Sequence, residues 1–212
     1  MRVDHVSYAA ETGGLRQTAA TLADALGVTA LDGGVHPRFG TRNMVLPLTQ
    51  GRYVEVVEVL DHPASDKAPF GQAVRARSAD GGGWLGWCVA VDDMAPHEKR
   101  LGREAAPGNR RLPDGTELHW RQLGVKGLMS DPQLPFLTRW ETGGALHPSA
   151  AGPSSVTLVG LQIAGDRARV TDWLGLPGDY TSTEVEFTFV APHGTPGLLS
   201  CTFQTPGGLV VV

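Results

Sequence analysis

The feature that most constrains this chain is an order of elements that occurs three times. A strand-like run leads into a helix, the helix stops at Leu-Gly, and further strands follow. The first copy opens with Val3-Asp4-His5-Val6-Ser7-Tyr8-Ala9. Leu15, Ala19, Leu22 and Leu26 then recur at helical spacing as one apolar stripe, and Gly27 takes the position where a left-handed residue ends a helix. Strands are expected over residues 41–48 and 52–60, joined by a hairpin turn at Gln50-Gly51. The second copy opens at residues 84–91, and Asp93 can cap a helix that carries Pro96 in its first turn and ends at Leu101-Gly102. Asp114-Gly115 marks a tight turn into a strand over 116–123, and an apolar run over 135–140 follows. The third copy opens at 155–164, and Asp166 caps a helix with Val170, Trp173 and Leu174 that stops at Gly175. Residues 184–190, 198–203 and the last four residues read as its strands.

A strand-helix-strands unit cannot bury its sheet face alone. Such units pair sheet to sheet and curl into a half-barrel with helices outside, and the concave face is a natural ligand pocket. The expected class is therefore α+β, with a curved mixed sheet. The 28 glycines and 15 prolines agree with many turns between short strands, and 41% hydrophobic with 19% charged residues is a globular balance. Residues 142–153, rich in Gly, Ser, Ala and Pro, read as a linker.

Several function classes are disfavoured. The formal net charge is −4 and Lys and Arg form no long basic stripe, so no nucleic-acid partner is expected. No apolar run approaches the roughly 20 residues that span a bilayer, so no membrane partner is expected. The start at Met1-Arg2-Val3-Asp4-His5 has no apolar signal core, and a cytoplasmic location is the default expectation. Cys88 and Cys201 lie inside apolar strand-like runs and read as buried thiols rather than a zinc or redox pair. Gly81-Gly82-Gly83 precedes a strand instead of opening a helix, so it is not a phosphate-cradling loop. There is no Gly-x-Ser-x-Gly elbow.

Motifs in a fixed order carry a family resemblance. They are Asp4-His5-Val6, then residues 34–43, then Gly51-Arg52-Tyr53-Val54-Glu55. Leu112-Pro113-Asp114-Gly115, Leu118-His119-Trp120-Arg121, Pro135-Phe136, Trp140 and His147-Pro148 complete the set. The chain resembles the vicinal-oxygen-chelate superfamily, and within it the glyoxalase-like domain proteins. The resemblance implies repeated βαβββ modules, two of them paired over residues 1–148 (about 1–62 and 84–142), with residues 149–212 as a third βαββ unit packing on or extending the sheet. It also implies a divalent metal held by His and Glu, which places His5 and Glu55 as metal ligands and catalytic residues.

The residues support part of this. On the last strand of the first module Tyr53, Glu55 and Val57 share one face, while Glu58 lies on the other and is expected to be solvated. A carboxylate among apolar neighbours is costly to bury unless it is paired or metal-bound. The second module is weaker in ligands: the matching positions fall at Gly86 and Arg139, with Glu141 as a substitute ligand if the register differs. A second constellation is cationic. Arg38, Arg42, Arg121 and Arg139 sit on or beside the expected pocket strands, where a guanidinium fork suits a carboxylate or phosphate. His36, Asn43 and Trp120, with Arg42, Arg121 and Arg139, are the expected substrate contacts, and Trp140 is a further wall residue. If Trp120 packs inward, His119 faces out. His62, His97, His147 and His193 read as solvated loop residues.

Two functions follow. One is a metal-dependent lyase, isomerase or dioxygenase for a small oxygen-rich or anionic molecule. The other is a metal-free protein that binds or sequesters such a molecule, which the residues at Gly86 and Arg139 favour. Pairing of modules between chains would make a homodimer.

Overall fold

The computed structural model describes residues 1–191 and 193–212. In the first half, β1 (Arg2–Ala9) is followed by α1 (Gly14–Leu26), β2 (Leu31–His36), β3 (Thr41–Pro47) and β4 (Tyr53–Val59). Two helices, α2 (Pro63–Lys67) and α3 (Pro69–Ala79), cross to the second half, which repeats the order. There β5 (Gly83–Ala90), α4 (Ala95–Leu101), β6 (Ala106–Arg111), β7 (Glu117–Leu123), α5 (Gly127–Ser130) and β8 (Phe136–Trp140) follow in turn. The last part holds β9 (Thr157–Ala164), α6 (Arg167–Leu174), β10 (Glu186–Val190), β11 (Gly197–Thr205) and β12 (Gly208–Val211). Gly27, Gly102 and Gly175 end α1, α4 and α6 in the left-handed conformation, as the Leu-Gly stops predict.

The two curved half-sheets do not stay open. They close into one barrel of order β1-β4-β3-β2-β6-β7-β8-β5. One seam is long: β1 runs antiparallel to β5 from Arg2↔Ala90 to Ala9↔Gly83. The other is a single pairing, Val35↔Arg111. Gly34 makes that seam possible. Its φ is +89°, and a Cβ there would sit 1.9 Å from the Arg111 carbonyl oxygen, so a side chain would force β2 and β6 apart. The last four strands form a separate sheet, β10-β9-β11-β12, packed against the outside of the barrel.

Alternation along the strands makes two cores. Val6, Val54 and Trp87 point out of the barrel and join α1 and the second sheet, where Leu158 and Phe203 are fully buried. Each such side chain stabilises the fold by roughly 1.5–3 kcal/mol. Val57, Cys88, Trp120 and Phe136 point inward, and α3 packs Phe70 against them. Both cysteines are buried free thiols.

The segment read as a linker is docked instead. It forms two short 3-10 turns, Gly144–Leu146 and Pro148–Ala150, with Pro148 buried and His147 bonded to Asp4. Its composition excludes a regular helix or strand but does not exclude packing. Among the described residues, no helix is long and apolar enough to cross a membrane.

Candidate functional site

The inward faces of the barrel strands enclose a cavity. His5, His36, Asn43, Tyr53 and Glu55 reach it from the first module. Arg110, Trp120, Gln122, Phe136, Thr138 and Trp140 reach it from the second, and Phe39 and Phe70 complete the wall. The side chains leave only about 30 Å³ in which the centre of a water-sized molecule fits. A small polar head group matches that space; a bulky ligand does not.

Glu55 is the buried acid of this cavity. Ser7 Oγ donates to its Oε2 at 2.9 Å and Asn43 Nδ2 donates to its Oε1 at 2.9 Å. The parallel pairing of β1 with β4 sets Ser7 beside Glu55, and the antiparallel pairing of β3 with β4 brings Asn43 across Val57. Burial opposes the charge, but the nearby histidines and these two donors hold the carboxyl below its usual range. Glu55 is therefore ionised at neutral pH. His36 Nε2 lies 3.7 Å from Glu55 Oε1, while its Nδ1 is 2.9 Å from Thr41 Oγ1. Burial lowers the His36 pKa to about 4, so that ring is neutral at pH 7. Tyr53 stays a phenol, because burial raises its pKa well above the ordinary value.

His5 is oriented by Asp4, a fully buried carboxylate. Its Nδ1 lies 3.0 Å from Asp4 Oδ2, and its ring stacks on Tyr53 at 4.5 Å between centroids. Asp4 also accepts from Trp140 Nε1 at 3.1 Å, and it meets His147 Nε2 at 3.2 Å and Arg2 at 2.9 Å. Burial again opposes ionisation, but hydrogen bonds to His147 and His5 hold this carboxyl far below its usual range. His147 is thus a structural partner of Asp4, not the solvated loop residue expected from its proline neighbour.

Arg110 is the cation of the cavity, and sequence reasoning missed it. It is 4% exposed, and its buried Nε has no partner. Among the described residues it makes no ion pair. Burial lowers its pKa, with Tyr53 and Glu55 opposing that shift. The carbonyl oxygen of the Asn43 amide, Oδ1, is also buried and unpartnered. The acceptor lies against Gly33, where a Cβ would sit 2.1 Å from it, so the chain itself closes it off; the buried donor of Arg110 is the group left to explain. The run Ala106–Arg111 contains Pro107 and Gly108 and no apolar alternation, which hides β6 as a strand. The usable signal is the Asp114-Gly115 turn: the strand after it needs a partner before it, and that partner places Arg110 beside Leu118. Gly108 has its own reason, since a Cβ there would lie 2.3 Å from the Trp120 ring.

His5, His36, Asn43, Glu55 and Trp120 are brought together. The expected arginines are not. Arg42 points away from the cavity and pairs with Glu58 at the surface. Glu58 is not merely solvated either: its Oε2 accepts from the Leu15 amide at 3.2 Å and so anchors the start of α1. Arg121 is bonded to the Ala105 carbonyl and lies near Glu98, outside the barrel. Arg38 is exposed. Arg139 is exposed and lies 3.7 Å from Glu141, which is exposed too. The inward residues of β8 are Phe136, Thr138 and Trp140, so alternation turns Arg139 and Glu141 to the outside and removes Glu141 as a cavity ligand. His119 also faces out, opposite to Trp120.

The resemblance implies a divalent metal, and the residues present do not fit one. Among the described residues, the only three ligating side chains with donor atoms all within 4.8 Å of one another are Asp4, His5 and Cys88. The Asp4 carboxylate is already engaged by four side chains, and burial pushes the Cys88 thiol up so that it stays protonated. His5, His36 and Glu55 form no such group. The second module faces the cavity with Thr138 and Gln122, while Arg110 already supplies a positive charge there.

An eight-stranded barrel built from two βαβββ modules around an interior cavity is the arrangement that the resemblance to the vicinal-oxygen-chelate superfamily implies. A family model described as a glyoxalase-like domain matches residues 3–176, and the chain belongs to that family. Among solved structures, it is similar to a hypothetical protein from Staphylococcus aureus. That match has 12% identity and a TM-score of 0.65, and covers 88% of this chain and 84% of the other. Methylmalonyl-CoA epimerase from Mycobacterium tuberculosis aligns at 15% identity and a TM-score of 0.44, over 67% of this chain and 88% of that one. The Streptomyces coelicolor methylmalonyl-CoA epimerase, in complex with 2-nitronate-propionyl-CoA, aligns at 16% identity and a TM-score of 0.41, over 66% and 96%. The first likeness is one of fold, and the two epimerases align too loosely to speak for chemistry here. No curated protein matches the sequence.

Proposed function

We propose that the barrel cavity binds a small oxygen-rich anion without a metal, and that Glu55 exchanges a proton with it. The observation that carries this reading is the buried, unpaired Arg110 facing the same cavity as the ionised Glu55. A buried guanidinium without a counter-ion is unfavourable by itself, and a carboxylate or polarised carbonyl on the ligand would complete it. Ser7 and Asn43 fix Glu55, and each carboxylate oxygen keeps a free lone pair for a substrate proton. A carbon acid next to a carbonyl fits this pair: Glu55 takes the proton and Arg110 stabilises the oxygen that gains charge. The reaction class is isomerisation or lyase chemistry on a small oxoacid.

A second reading keeps the binding and drops the turnover. It is favoured by the lowered pKa of Glu55, which makes it a weak base. One experiment separates the two. Chelator-treated protein is titrated with pyruvate, 2-oxobutyrate and oxaloacetate, and deuterium uptake at the carbon beside the carbonyl, above the uncatalysed rate, is followed in heavy water. Binding with exchange that Glu55→Gln abolishes supports the enzyme, and binding without exchange supports sequestration. Stoichiometric metal in the purified protein, lost in His5→Ala and Glu55→Gln, would sink both metal-free readings.

A further inference from the structure

A second cavity lies outside the barrel and carries an inference independent of the first. It sits between the outer face of β1 and β5 and the layer formed by α6, β10 and the segment 176–185. About 230 Å³ there admits the centre of a water-sized molecule, against about 30 Å³ in the barrel, so a much larger organic body fits. Its inner wall is apolar: Trp87 of the barrel, fully buried, packs on Phe187 of β10 at 5.3 Å between ring centres, beside Val170 and Leu174 of α6.

Its polar side is cationic. Arg2, Arg52 and Arg167 reach it, against the single carboxylate of Glu184. Two of these arginines are committed. Arg2 pairs with Asp4 at 2.9 Å. Arg52, 1% exposed, is held by Glu184, Gln50 and the Val3 carbonyl. Arg167 is not: its guanidinium touches only the carbonyl oxygens of Tyr180 at 3.3 Å and Phe187 at 3.2 Å, and lies 5.0 Å from the Phe189 ring centre. Among the described residues it pairs with no carboxylate. A chamber whose inner wall is apolar and whose exposed edge carries a guanidinium without a carboxylate partner suits an apolar body with one anionic head.

We propose that this cavity binds an amphipathic carboxylate of the medium-chain fatty acid class. The chain lies against the wall that Phe187, Val170 and Leu174 form, and the head meets Arg167. The test is calorimetric titration of the whole protein with decanoate, with decanol as the neutral control. Decanoate is expected to bind, decanol to bind at least about 10-fold more weakly, and Arg167→Gln to lose about 10-fold or more of the decanoate affinity. Val170→Trp fills the chamber and is expected to abolish binding. Methyl resonances locate the ligand without any variant: those of Val170 and Leu174 are expected to shift with decanoate, while that of Val57 inside the barrel stays still. No binding by the wild type, equal binding of decanol, or shifts confined to Val57 would each overturn the proposal.

Discussion

The two modules of the barrel share a frame and differ in chemistry. In both, the first and last strands run parallel, so Ser7 pairs with Glu55 in one and Ala90 with Thr138 in the other. The first module gives the cavity its acid and imidazoles: Glu55, His36 and His5. The second gives it a cation and rings: Arg110, Trp120, Phe136 and Trp140. The repeat thus conserves the register that aims side chains inward and leaves their identities free. One half places an anion, the other places a cation and the apolar wall that strengthens both by excluding water. Opposite charges arranged around a small space, each fixed by its own strand, favour a ligand that carries both an acidic proton and a charged oxygen.

That division can be broken from either side. The largest effect is expected at Asp4, which ties the first module to Trp140 of the second and to His147. Removing one partner of a buried charge cluster costs about 3–5 kcal/mol, and chemical denaturation of Asp4→Ala is expected to show a loss of that size. The same carboxyl makes stability fall in acid. It is lowered from 3.8, so its contribution is complete above that value and is lost as pH falls through its lower folded value.

His36 comes next. Its pKa drops from 6.5 to about 4 on folding, so the unfolded chain binds the extra proton in that window. Stability is complete above pH 6.5 and falls by up to about 3 kcal/mol as pH approaches 4. Denaturation at a series of pH values should show this slope in the wild type and a flatter one in His36→Asn; equal slopes would remove the buried neutral imidazole from the account.

Arg110 sharpens the comparison because its two effects oppose each other. Arg110→Met replaces an unpaired buried cation with a similar apolar volume, which is expected to stabilise the fold by about 1–2 kcal/mol. The same variant should lose oxoacid binding in calorimetry. A variant that is less stable would show that the guanidinium is a structural member of the cavity wall rather than a ligand group. The smallest effect is expected at Arg139, whose exposed pair with Glu141 contributes within about 0.5 kcal/mol. Arg139→Ala should leave oxoacid affinity unchanged. A clear loss of affinity would move the site to the outside of β8.

The sequence by itself determined the repeat, the helix stops and the strands that carry most of the first module's site. Helical spacing and Leu-Gly stops are local, and they place α1, α4 and α6. The face shared by Tyr53, Glu55 and Val57 follows from a period of two, and so does the placing of Trp120 and His119 on opposite faces. Arg42, Arg121 and Arg139 show where that reasoning stops. Alternation states which residues share a face, but only the pairing across strands decides which face is inside, and these three fell outside. Arg110 was hidden because its strand lacks an apolar pattern and is held by neighbours on both sides. Asp4 with His147, and the closure of two half-barrels at Gly34, join residues far apart in the chain. Tertiary structure alone decided these, because burial and long-range pairing leave no period in the sequence to read.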